Sequence, residues 1–93
     1  MAEYMARVEL HAAQGDDYER LHTAMAALGF YRTARATDGV LHKLPTGMYW
    51  VESQYNTQTV LGFAQNVLRS VGKTGEITVT CSQETWFAGL PRA

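Results

Sequence analysis

Arg32, Arg35, His42 and Lys43 lie in one short stretch and combine three flexible cations with one imidazole. Such a set can hold a phosphate and move a proton, the two needs of metal-free RNA cleavage. In that chemistry Arg32, Arg35 and Lys43 hold the phosphate, and His42 helps the 2′-hydroxyl attack. His11, two residues after Glu9 on an extended run, is the second candidate for proton transfer. The same residues also read as a solvated hairpin surface and a polar surface pair.

The remaining reactive side chains point elsewhere. His22 stands one position past Leu21, on the flank of an apolar helical stripe, and reads as a packing residue. Asp16 reads as a helix cap and Asp17 as a favourable first-turn charge. Cys81 is the single cysteine, which excludes an internal disulfide and a Cys-based zinc cluster. Its place after Ile77 and Val79 in an alternating run predicts a small buried apolar residue. Trp50 and Trp86 read as core or interface anchors. The chain has no phosphate-cradling Gly-rich loop, no HExxH, no GxSxG and no paired metal-ligand spacing. No metal and no cofactor is called for.

The elements that must position these groups follow from periodicity. Met5 to His11 alternates apolar and polar residues, as a strand with one buried face does. Asp16 and Glu19 have the spacing of a capping box, and Tyr18, Leu21, Met25 and Leu28 form one stripe of a helix over 17–28. Gly29 closes that helix, with Phe30 packing back on its last turn. Tyr31 to Ala36 and Val40 to Glu52 are extended runs joined through Asp38-Gly39, a tight-hairpin signal. Pro45 cannot donate to a ladder, so it belongs at a bulge or an edge, with Gly47 supporting a bend. Asn56 caps a second helix over 57–71 whose stripe is Val60, Ala64, Val67 and Val71, and Gly72 ends it. Glu76 to Ser82 is the last strand. Its Ile77, Val79 and Cys81 point inward, and Thr78, Thr80 and Ser82 point outward.

This order predicts an α+β fold, the ferredoxin-like βαββαβ sandwich: a four-stranded antiparallel sheet with both helices on one face. Residues 5–93 form one domain, preceded by a leader or disordered segment over 1–4. The uncovered face shows Arg7, Glu9, His11, Thr78, Thr80 and Ser82. The tail, with Trp86, Phe87 and Leu90, is too apolar to dangle in water. It either folds back as a short fifth strand or pairs with a second copy, and a homodimer is the expected state.

The whole chain sets outer bounds. With 93 residues, 46% hydrophobic and 18% charged, it has an ordinary globular composition. A net charge of −1 gives no broad positive field, so contact with nucleic acid must be local. No apolar run approaches the roughly 18 residues that cross a bilayer, and no signal segment opens the chain. No membrane partner and a cytoplasmic location are therefore expected.

Val8-Glu9-Leu10-His11, Asp17-Tyr18, Leu21-His22, Ala24-Met25, Gly29-Phe30, Arg32-Thr33, Asp38-Gly39 and Leu44-Pro45-Thr46 with Tyr49 together resemble the bacterial and phage sequence group of the GhoS-type endoribonuclease antitoxins of type V toxin-antitoxin systems. The resemblance runs from Met5 to about Val71. It implies the same sandwich, a dimer, and cleavage of the messenger RNA of a small membrane toxin. The CRISPR-associated small ferredoxin-like nucleases, similar in fold to that group, place an aspartate at the end of the first strand. This chain has His11-Ala12-Ala13 there. The resemblance supports an RNA-directed antitoxin, and the absence of that aspartate, with the His42 cluster, points to an endoribonuclease without metal. The alternative is a non-enzymatic interaction module that binds a host protein through its open sheet face or its tail.

Overall fold

Tyr4, Ala6, Val8 and Leu10 alternate along one face of the first strand, and all four are buried. A computed structural model describes residues 1–93. Its elements are β1 (Ala2–Leu10), α1 (Asp17–Ala26), β2 (Thr33–Arg35), β3 (Leu41–Lys43), β4 (Met48–Ser53), α2 (Thr57–Ser70) and β5 (Gly75–Ser82). The fold is α+β with antiparallel sheets. β1 is central, paired with β4 on one side and β5 on the other. Opposed residues share a face, so Ala6 lies between Tyr49 and Val79, and Tyr4 between Val51 and Cys81. Leu21 and Met25 of α1, with Val60, Ala64 and Val67 of α2, close the core on that face. No helix is long and apolar enough to cross a membrane.

Several expectations are corrected. Residues 2–4 belong to β1: Ala2 to Tyr4 pair with Ser53 to Val51, and Tyr4 is buried with its hydroxyl donating to the Tyr55 carbonyl at 2.5 Å. Cys81 is exposed, because it lies near the end of an edge strand, where Ile77 and Val79 but not Cys81 pack against the core. Asp16 makes no side-chain cap, whereas Asn56 accepts from the Thr59 amide at 2.8 Å as its type predicts. The expected closure of α1 is present: the Phe30 amide donates back to the Met25 carbonyl beyond Gly29, which has φ +85°, and Phe30 is buried.

The sheet itself is divided. In place of four strands in one ladder there are three, β4-β1-β5, beside a separate two-stranded sheet, β2-β3. The cause is the stretch around Pro45 and Gly47. Thr33 pairs with Lys43, yet Tyr31 bridges Trp50, so the chain from Lys43 to Trp50 uses more residues than its partner and the excess bends away. Gly47 anchors that bend: its carbonyl accepts from the Val8 amide at 2.7 Å, its φ is +87°, and a Cβ there would overlap the Val8 carbonyl oxygen. Tyr31, Trp50, Met5 and Thr80 consequently form one cross-strand row on the face away from the helices. That face is therefore less polar than the sequence suggests.

Two glycine substitutions test this account in opposite directions. Gly47→Ala should lower unfolding stability by about 1–3 kcal/mol. Gly62→Ala, in the interior of α2 with nothing within 4 Å of its Cβ position, should raise it by about 0.5–1 kcal/mol. Urea denaturation followed by circular dichroism measures both.

Candidate functional site

The β2-β3 hairpin turns at Asp38-Gly39, where the Asp38 carboxylate accepts from the Val40 amide at 2.9 Å and the Ala36 amide donates to the Val40 carbonyl. The C-terminal tail returns to the outer edge of β3 in its own chain. The Lys43 amide donates to the Pro91 carbonyl at 2.8 Å, and the Ala93 amide to the Leu41 carbonyl at 3.0 Å. His42 and Arg92 form the bridge between them. Of the two fates open to the tail, folding back is the one adopted.

His42 is central to this junction. Its Nδ1 lies 3.0 Å from the Leu90 carbonyl oxygen, and the Phe87 ring meets it edge-on at 5.2 Å between centroids. A carbonyl only accepts, so Nδ1 carries a proton, and in the neutral ring the lone pair is therefore on Nε2. That is the tautomer a general base needs. His42 as a residue is half-buried.

The pairing separates the cationic set that the sequence groups together. His42 lies opposite Ala34, while Lys43 lies opposite Thr33 and shares its face with Arg35. Arg35 donates to the Gly39 carbonyl across the turn. Arg32 sits at a bend, and its charge acts on His22 and Tyr49. Arg92, which the sequence does not single out, is the cation placed on the His42 face by the bridge. No residue type marks it, because its neighbourhood exists only once the tail has folded back. Arg32, Arg35, Lys43 and Arg92 are still four of the eight Lys and Arg residues of the chain, and Asp38 is the one acidic side chain on the hairpin. The lobe is locally positive within a chain of net charge −1.

Beneath the tail lies an apolar cleft of about 200 Å³, floored by Met5, Met48 and Trp50 and walled by Leu44, Phe87 and Leu90. Trp86 borders it and is 75% exposed. An exposed indole over an apolar cleft is an unusual surface for a small globule.

His11 belongs to a different region. It lies just past β1, with Nδ1 3.3 Å from Thr74 Oγ1 and Nε2 3.7 Å from Glu76, so its acidic neighbour is Glu76 and not the Glu9 expected from sequence. Nearby, Asp17 ties three segments together. Its carboxylate accepts from the Gln14 amide at 2.9 Å, from Arg20 Nη2 at 2.7 Å and from Lys73 Nζ at 3.0 Å. The amide bond and the two cations hold the carboxyl well below the usual carboxylate range. Asp17 is thus buried and paired, where the sequence predicts a simple first-turn charge.

His22 is a packing residue, as its position suggests. Its Nδ1 lies 2.6 Å from the hydroxyl of Tyr49, which is fully buried. Burial lowers the His22 pKa, aided by the Arg32 charge, and burial pushes that of Tyr49 up. The ring is therefore neutral and hydrogen-bonded to the phenol. No three His, Cys, Asp or Glu side chains converge on a point that could hold a metal ion. No protein-family model and no curated protein matches the chain.

The Asp17 node predicts an acid limb of stability. A depressed folded-state pKa gives stability that is fully present above the unfolded value of about 3.9 and is lost as pH falls towards the folded one. Asp17→Asn should melt below the wild type at pH 7, and the gap should close on acidification through the carboxylate range. Thermal melts across that range measure it.

Proposed function

We propose that the protein acts on RNA as an endoribonuclease antitoxin of the GhoS type, in the cytoplasm and without a metal. The observation that carries this reading is the His42 ring, held by the Leu90 carbonyl so that Nε2 is free to accept a proton. Two further features support it. The order of elements, and the Tyr31–Trp50 bridge that links the hairpin to β4, suit a ferredoxin-like sandwich interrupted by the Pro45–Gly47 bend. The motifs from Val8 to Tyr49 resemble the same group.

In this mechanism His42 Nε2 takes the proton of a ribose 2′-hydroxyl. The oxygen attacks the adjacent phosphorus, the bond to the 5′-oxygen breaks, and a 2′,3′-cyclic phosphate forms. Solvent supplies the proton for the departing 5′-oxygen. Arg92, bridged to His42, neutralises the phosphate in this reading, while Arg32, Arg35 and Lys43 draw the backbone along the hairpin. His11, held by Thr74 and Glu76, is the second proton-transfer candidate, in a separate place. The substrate that the resemblance implies is the messenger RNA of a small membrane toxin.

A second reading rests on the apolar cleft with exposed Trp86 at its border. It is a non-enzymatic module that binds a host protein through the tail side of the sheet.

His42→Asn separates catalysis from structure, because an asparagine amide can still donate to the Leu90 carbonyl but offers no base. Incubated with a transcript pool in chelator, the wild type should cleave. His42→Asn should lose about 100-fold or more in rate with an unchanged melting temperature, and Lys43→Ala should bind RNA more weakly, with a shallower salt dependence. Intact RNA with the wild type, or full activity in His42→Asn, would overturn the enzymatic reading. Capture of one protein that survives nuclease treatment and is lost in Trp86→Ala would favour the module.

A further inference from the structure

β5 forms one edge of the three-stranded sheet and runs for eight residues with its outer side unpaired. Natural edge strands of this length normally carry a lysine, a proline, a bulge or a covering loop, because a bare ladder pairs with whatever strand it meets. β5 has none of these: its register with β1 is unbroken from Gly75 to Ser82, and Glu76 is its one charged residue. Its side chains are apolar for so open a position. Ile77 and Val79 are half-exposed, and Cys81 is exposed. Beside this edge a groove of about 340 Å³ is bordered by Leu61, Leu68 and Ile77 together with the polar Gln65, Arg69 and Lys73. The tail, which the sequence leaves either to fold back or to meet a second copy, is engaged with β3 of its own chain and leaves the second role open.

We propose that the free edge of β5 pairs antiparallel with β5 of a second copy of this chain, about a two-fold axis at Val79. The sequence of the strand is self-complementary in that register. Thr78 lies opposite Thr80, Ile77 opposite Cys81 and Glu76 opposite Ser82, so no like charges meet and every residue from Glu76 to Ser82 has a partner. A register centred on Glu76 would set two carboxylates face to face and pair fewer residues. The two three-stranded sheets become one continuous sheet, both helical layers stay on the same side, and each α2 flanks the junction. A net charge of −1 per chain opposes the association only weakly. This interface is independent of the RNA reading.

Sedimentation of the full chain should show a reversible dimer. Thr78→Lys with Thr80→Lys, both at exposed positions, sets lysines opposite lysines across the axis and should weaken the dimer at least about tenfold while the monomer stays folded by circular dichroism. Ile77→Cys provides a second test that does not depend on repulsion, because it faces Cys81 of the other copy. Mild oxidation should link the two chains covalently. The wild type should stay unlinked, since Cys81 and its symmetry mate lie about four residues apart along the strands, some 13 Å, beyond disulfide reach. A monomer up to about 100 µM would overturn the proposal. So would a dimer that resists the lysine pair, or one that fails to link through Ile77→Cys.

Discussion

β1 is hydrogen-bonded on both sides, and every second side chain along it is buried. A strand in that position has no freedom of register, because a slip of one residue would expose Tyr4, Ala6, Val8 and Leu10 and bury Glu3, Arg7 and Glu9. The rest of the molecule is arranged by that constraint. β4 and β5 take their faces from it, and the helices cover the apolar side. The Gly47 carbonyl accepts from the Val8 amide, and there the hairpin leaves the sheet.

The departure at Gly47 links architecture to chemistry. Had the hairpin stayed in the sheet, β3 would have continued into β4 and its outer edge would have run along the main ladder. The bend turns β2 and β3 into a separate lobe with a free edge, and the tail takes that edge. The tail fixes the His42 ring through the Leu90 carbonyl and brings Arg92 to its face. The apolar cleft is a product of the same closure, since Trp86, Phe87 and Leu90 lie over Met5, Met48 and Trp50. Buried ionic and polar pairs steady other parts of the frame: Asp17 joins the start of α1 to Lys73 after α2, and His22 meets Tyr49 between α1 and β4.

Much of this was legible in the residues. Period-two alternation located β1 and β5, stripes at spacings of three and four located both helices, and Asp38-Gly39 located the turn. Pro45 and Gly47 announced a bend, but nothing in their types said that it would divide the sheet, because that depends on how many residues each arm spends before pairing resumes. The start of β1 was missed because Tyr4 becomes a core residue only through its partners Val51 and Cys81, which are distant in sequence. Cys81 looked buried because alternation tells which face a residue takes and not whether a helix reaches far enough to cover it. His42 and Lys43, adjacent in sequence, take opposite faces of the hairpin because strands alternate. Arg92 was invisible for the converse reason, as a residue distant in sequence can be a neighbour across a ladder.

The tail fixes the neutral His42 ring with the proton on Nδ1 and the lone pair on Nε2. Nitrogen-15 NMR of the imidazole ring, recorded near pH 9 where histidine is neutral, reads this directly. A protonated Nδ1 and a bare Nε2 are the predicted result. A proton resident on Nε2, or a ring that averages freely between tautomers, would contradict it.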